Sequence, residues 1–493
     1  MRETLALAPA KLGDFLQASA LLGALAADAG TRLTVLAADP AVLEAQRLLF
    51  PEAEGILLDG DFPAAGGAGG RPAPEGLPRR ADLLVNLSLD PRAVELAGSL
   101  GAREILGPRP GPSGTVVPKA QRLALAAMSL DRALGRLNLV DVWRALRPAC
   151  PPALAMPPSL PPLGPAAEEA LAASGGLPLV FFHLGAKASL RRWPPEEHAG
   201  LAAALFRAAP FAAVTLGSRQ ERALALKFAG LYRQEAPEAP VIDLSGRTSL
   251  ADLWGALPRA SLLVSSDTGV MHLAASLGIP QLAVFSGPAY AHETGPYGRR
   301  SLALQGLAPC GPCTEGKGCR RPSCRALPSW EAALPLALEL LKGAKAPASG
   351  PVGEGPPVPG PQLSPPPGMA WQSWRTLIGP CGSSLVPCPP LPAPLDLRAL
   401  AGLMFREAAR AAAGLGPPGA EGRSFRPADM ETAVRELELY RRLKEPPDGT
   451  KAARSLSFIG RKALSGAGLD LFRETWEGVL REAERQGFLR KAP

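Results

Sequence analysis

The sequence predicts two doubly wound parallel α/β domains in succession, followed by a mainly helical appendage. Three observations carry that prediction. Short apolar runs alternate with segments of helical length, first over residues 1–150 and again from 177 onward. A stretch dense in proline, residues 148–166, separates the two series. And Ser261–Gly287 reads as strand, turn, helix, turn, strand, about the shortest crossover a parallel sheet allows.

In chain order, Thr4–Ala8 reads as a strand, residues 9–14 as a loop, and the segment to about Ala29 as a helix. Strand Thr31–Ala37, helix 40–49 and strand Gly55–Leu58 follow. Residues 60–80 form a long Gly/Pro/Ala-rich loop. Strand Asp82–Leu87, helix 91–100, strand Glu104–Gly107 and helical stretches at 119–136 and 138–147 complete the first series. The boundaries are then a first domain at 1–150, a proline-rich linker at 151–165 and a second domain at 166–343.

The second series has strands at Leu177–His183, Ala212–Leu216, Val241–Leu244, 261–264, Gln281–Phe285 and 301–304. Helices are expected at 195–209, 218–231, Ser249–Leu257, Val270–Leu277 and 329–342. Residues 344–368 form a Pro/Gly linker with polyproline tendency. The appendage, 369–493, shows helical patterns at 395–413, 429–444 and 469–486. Its basic stretch Lys451–Lys462 reads as a solvated face.

Composition is that of a globular protein, with 46% apolar and 20% charged residues. The net charge of +8 is spread along the chain, which suits anionic small ligands and does not by itself indicate nucleic acid. Thr4–Pro9 is too short for a signal peptide, and the uncharged run Phe15–Ala27 falls short of a membrane span. The expected location is cytoplasmic, with peripheral contact to the inner face of a membrane.

In open parallel sheets, ligands bind beyond the carboxyl ends of strands. Asp267, Thr268 and Gly269 sit at such an end, and the N–H groups of the helix they open suit a phosphate. Equally, Asp-Thr-Gly can be a plain helix cap and His272 an ordinary helix-face histidine. Asp14 lies at the end of the first strand, as a candidate general base or as a cap of the next helix. Lys187, Arg191 and Arg192 follow a strand end, facing a phosphate or simply solvent.

Several of these segments, in this order, resemble glycosyltransferase family 9, the ADP-heptose:lipopolysaccharide heptosyltransferases. They are KLGDFLQASALLGAL, HLGAKASLRRWPPEEHAGLA, LGSRQERALA, LSGRTSLADLWGAL, SDTGVMHLAASLGIPQLAVFSGP and GPYG, which together cover residues 1–343. The resemblance implies a GT-B fold, two Rossmann-like domains facing across a cleft. It also implies an inverting, metal-independent transfer from an ADP-sugar or related nucleotide-sugar to a hydroxyl of a lipid-linked or oligosaccharide precursor of the cell surface. Asp14 would be the base. Lys187, Arg191, Arg192, Glu221, Asp267, Thr268, Gly269 and His272 would bind the donor, with Glu221 on the ribose.

Two positions depart from the family pattern. Arg191 stands where lysine is usual, exchanging a compact ammonium for a planar fork. Ala289 lacks an expected hydroxyl, which puts a donor-sugar contact in question. These departures favour the alternative, a catalytically idle sugar-nucleotide-binding protein whose appendage recruits a partner. An epimerase on the same fold would usually carry more cleft histidines than a chain with four in all.

No cofactor is expected for catalysis. Cys310, Cys313, Cys319 and Cys324 fall within fifteen residues, and a structural zinc, disulfides or free thiols all fit that spacing. Cys381 and Cys388 are placed to pair across a loop, and Cys150 has no evident partner.

Overall fold

The computed structural model describes residues 1–307 apart from 59–79, 89, 113, 119–120, 122–137, 148–149 and 152, together with 319, 328–343 and the strands 370–379 and 382–388. The chain divides into two units between Pro157 and Pro158.

In the first unit, β1 (Arg2–Leu7), β2 (Thr31–Ala37), β3 (Glu54–Leu57), β4 (Ala81–Asn86) and β5 (Ala102–Leu106) form one sheet in the order β3-β2-β1-β4-β5. Every pairing is parallel. The order reverses between β1 and β4, so the crevice opens at their carboxyl ends. Helix α1 (Leu12–Ala26) follows β1 directly and buries Phe15, Leu21 and Leu22 completely. Each such side chain contributes roughly 2 kcal/mol of burial. Helices α2 (Pro40–Leu49) and α3 (Pro91–Ser99) start by one device. Asp39 accepts from Ala41 N–H at 2.9 Å and Asp90 from Arg92 N–H at 3.0 Å, each followed by proline in the first turn.

A short hairpin, β6 (Arg109–Gly111) and β7 (Gly114–Val116), was not legible in a segment so rich in glycine and proline. Helix α4 (Leu139–Arg144) carries a buried ion pair, Asp141 with Arg144 at 2.8 Å. Arg144 also donates twice to the carbonyl of Cys150, at 3.0 and 2.8 Å. The Cys150 thiol, without an evident partner in the sequence, donates to the Ala20 carbonyl of α1 at 2.9 Å. Arg147 forks onto Asp28 at 2.7 and 2.8 Å, and Ala155 N–H donates to Ser19 at 3.0 Å. The opening of the proline-rich stretch is thereby strapped to α1.

The second unit begins with α5 (Pro165–Ala172) and builds on β8 (Leu179–His183), β9 (Ala212–Leu216), β10 (Val241–Asp243), β11 (Ala260–Ser266), β12 (Gln281–Phe285) and β13 (Ser301–Leu307). These run in the order β10-β9-β8-β11-β12-β13, all parallel. Strands β8, β9 and β12 are buried along their whole length, as continuous apolar runs between two helical layers should be. The helices are α6 (Pro195–Ala208), α7 (Arg222–Glu235), α8 (Leu250–Ala256), α9 (Gly269–Ser276), α10 (Ala291–Thr294) and α11 (Trp330–Gly343). Phe182, Trp193, Phe211, Phe228 and Tyr232 centre the core between the sheet and α6–α7.

Two strands correct the expected start of the helical appendage at 369. β14 (Ala370–Gly379) pairs antiparallel with β13, and β15 (Gly382–Cys388) continues the sheet beyond it. The partner of β14 lies more than sixty residues upstream, across a linker, so local pattern could not announce the pairing. The three helical patterns expected at 395–413, 429–444 and 469–486 lie outside the described residues, as does the loop 60–80 apart from Arg80. Among the described residues, no helix is long and apolar enough to cross a membrane.

Candidate functional site

The second sheet reverses its order between β8 and β11, so their carboxyl ends border the crevice. Beyond β8 come Leu184, Gly185, Ala186 and the exposed Lys187, then a single 3-10 turn, Ser189–Arg191. Trp193 anchors this basic loop. It is fully buried, its N–H donates to Ser266 Oγ at 3.1 Å, and its indole donates to the Pro328 carbonyl at 2.7 Å. Arg192 turns back and donates through Nε to the Ala186 carbonyl at 2.8 Å. Arg191 reaches across to β11 and donates through Nη1 to Asp267 Oδ2 at 2.8 Å. The Asp267 side chain is 5% exposed and that of Arg191 20%. Two candidates 76 residues apart thus meet in one ion pair.

Thr268 is the N-cap of α9 in an extended conformation, and its side chain does not cap the helix. Its hydroxyl lies 3.2 Å from that of Ser265. The first turn of α9 holds no acidic residue, so its positive end is not offset from within the helix. His272, one turn on, is 2% exposed, and burial holds its pKa down to about 3. Any contact it makes with a ligand is that of a neutral imidazole, not of a cation.

Glu221 closes a capping box with Ser218, whose N–H and hydroxyl donate to Oε2 at 2.8 and 2.9 Å. Its other oxygen faces the exit of β8, where a Cβ on Gly185 would stand 1.8 Å from Oε1. Only glycine at 185 lets this carboxylate lie against the strand end. The helix-start role and a place on the crevice rim therefore coincide.

The loop after β12 is held by residues that the sequence did not single out. Gly287, at φ +60°, lies so close to the Leu190 carbonyl that a Cβ would come within 2.5 Å of it. The Gln305 amide accepts from Ala291 N–H at 2.9 Å and donates to the Ala289 carbonyl at 3.3 Å. Ala289 itself is 3% exposed, in a small apolar cluster with Met271 and Phe285.

Asp14 belongs to the first unit. Helix α1 begins at Leu12 with Lys11 as its N-cap, so Asp14 stands inside the first turn rather than in the preceding loop. That position follows the carboxyl end of β1, beside the strand-order reversal, and the helix dipole favours a carboxylate there. Of the cysteine cluster, Cys310, Cys313 and Cys324 lie outside the described residues; Cys319 is exposed and has no disulfide partner among the described residues. Among the described residues, no three His, Cys, Asp or Glu are grouped to hold a metal.

The six parallel strands in this order, reversing between β8 and β11, define a Rossmann-like α/β domain. Residues 158–322 match the family described as glycosyltransferase family 9 (heptosyltransferase). The chain is 33% identical over 158 residues to lipopolysaccharide heptosyltransferase 1 of Pseudomonas aeruginosa, a match covering 32% of this chain and 42% of that protein. It is 30% identical over 139 residues to lipooligosaccharide heptosyltransferase 2 of Haemophilus ducreyi, covering 28% and 39%. The chain thus spans about two fifths of the curated relatives it matches. The fold is shared with a glycosyl transferase of family 9 from Veillonella parvula, at a TM-score of 0.51 and 18% identity over 69% of this chain and 98% of that one.

Proposed function

We propose that this chain is an inverting, metal-independent glycosyltransferase. It would move a heptose-like sugar from an ADP-sugar or related nucleotide-sugar donor to a hydroxyl of a cell-surface lipid or polysaccharide precursor. The observation that carries this reading is the convergence, within the family-matching segment, of Glu221, Arg191, Asp267 and the Thr268–Gly269 helix start at the carboxyl ends of β8, β9 and β11. Glu221 is assigned to the donor ribose. The N–H groups of Thr268 and Gly269, with Lys187, Arg191 and Arg192, take the diphosphate and stabilise its charge as it leaves. Asp14 takes the proton of the acceptor hydroxyl, whose oxygen attacks the anomeric carbon as the bond to the diphosphate breaks. A structural zinc on Cys310, Cys313, Cys319 and Cys324 is a separate proposal, read by elemental analysis of the purified protein.

The test is release of nucleoside diphosphate from a panel of nucleotide-sugars with candidate acceptors, for wild type and Asp14→Asn. Loss of about 100-fold or more in turnover, with donor binding retained, is expected of a missing general base. Full transfer by Asp14→Asn would refute the base assignment. Wild-type binding of donor with no turnover on any acceptor would refute the enzyme reading.

A further inference from the structure

We propose that Gln17, one turn behind Asp14 on α1, is a positioning residue that holds the Asp14 carboxylate in its working orientation. The inference rests on the reading of Asp14 as the general base.

Gln17 is 0% exposed, and neither its amide nitrogen nor its amide oxygen has a hydrogen-bond partner among the described residues. Its neighbours on α1 need no such explanation. Phe15, Leu16 and Ala18 are apolar, and Ser19 donates to the Leu16 carbonyl at 2.6 Å and accepts from Ala155 N–H at 3.0 Å. A buried amide with both ends unpaired is costly to the fold, and such a group calls for a use outside stability. Helix geometry says where this amide reaches. A helical side chain leans toward the N-terminus, over the residues three and four before it. For Gln17 these are Asp14 and Gly13, and the glycine leaves its part of the turn without a side chain.

The Asp14 carboxylate has two competing orientations. Asp14 is the third residue of α1, half-buried, and the N-cap Lys11 makes no side-chain cap bond. A carboxylate at that position can fold back onto the N–H groups of the helix start, where it is a cap and not a base. Turned along the helix face instead, it accepts from Gln17 Nε2 through one oxygen and keeps the other for the acceptor proton. A carboxylate has lone pairs enough for both, together with its other contacts. The unpaired amide thus acquires its partner in the working orientation and weights the carboxylate toward it.

The experiment compares full-length wild type, Gln17→Met and Asp14→Asn. It measures thermal unfolding, calorimetric titration with ADP, and release of ADP from ADP-heptose with the acceptor that wild type turns over fastest. Gln17→Met keeps an unbranched side chain of similar length and removes both unpaired polar atoms. Its melting temperature should equal or exceed that of wild type, and its ADP affinity should match. Its kcat should fall about tenfold, the scale of one hydrogen bond to a charged group. A merely structural role for Gln17 predicts a change in stability with kcat untouched, and that result would overturn the proposal. A Gln17→Met chain that unfolds more easily than wild type, or fails to fold, overturns it as well, because the amide is then already paired in the resting fold. Full turnover by Gln17→Met beside an inactive Asp14→Asn overturns this proposal alone. Full turnover by Asp14→Asn overturns the base assignment and the proposal with it, as does a wild type that turns over no acceptor.

Discussion

Acid should destabilise the second unit through histidines that are buried neutral. His198 and His272 are 0% and 2% exposed, and burial lowers each pKa from 6.5 to about 3. His198 is wedged edge-on against Trp193 and Phe182, at ring separations of 4.7 and 6.1 Å, and neither of its nitrogens has a hydrogen-bond partner among the described residues. His183, whose proximity depresses His198 further, is itself lowered by burial. Because the folded pKa lies below the unfolded one, the unfolded chain binds more protons between about pH 6.5 and pH 3. Stability is then whole above pH 6.5 and falls through that window as pH falls. At about 1.4 kcal/mol per pKa unit, each of the two rings costs about 2 kcal/mol at pH 5 relative to pH 7, or about 4 kcal/mol together.

Urea unfolding at pH 7 and pH 5, followed by tryptophan fluorescence, measures the difference. His198→Phe keeps an aromatic ring and removes two unpartnered polar atoms. It should leave stability at pH 7 within about 1 kcal/mol of wild type and remove about half of the loss at pH 5. If the variant loses as much stability between pH 7 and pH 5 as wild type does, the buried imidazole is not the cause and the reasoning fails.

Three further outcomes follow from the geometry. Gly185→Ala puts a methyl where the Glu221 carboxylate stands, so ADP affinity should fall about tenfold or more with the melting temperature nearly unchanged, as calorimetry and thermal unfolding would show. Arg144→Met takes away the guanidinium that pairs with the buried Asp141 at 2.8 Å, and should cost about 3–5 kcal/mol in urea unfolding. Much of that should return in Asp141→Leu/Arg144→Met, where both charges of the buried pair are gone. Iodoacetamide at pH 8 followed by peptide mapping should spare Cys150 in the folded protein and modify it after urea unfolding, because its thiol is buried, hydrogen-bonded and raised in pKa by burial.

Much of the fold was legible because its signals are local. Apolar runs such as Gln281–Phe285 and Ala212–Leu216 lie between glycine, proline and helical segments, and both strands run over the expected residues. Asp39-Pro40 and Asp90-Pro91 mark two helix starts through short-range hydrogen bonds. The hairpin at 109–116 was hidden by residues that also make plain loops. The strand at 370–379 was hidden because a strand on a sheet edge is defined by its distant partner.

In the candidate site, residue types and strand-end positions could be read directly, since a carboxylate or an arginine after an apolar run needs no neighbour to be noticed. The sequence by itself therefore determined the alternation of strands and helices, the family resemblance and the set of polar residues along the strand ends. Only the tertiary structure decided which of them meet. It paired Arg191 with Asp267, set Glu221 against Gly185, buried His272 as an uncharged ring and turned Ala289 into an apolar cluster. The reason is physical. Periodicity and capping act within a few residues, whereas charge pairing and desolvation depend on what non-local packing brings alongside, and no stretch of the chain carries that by itself.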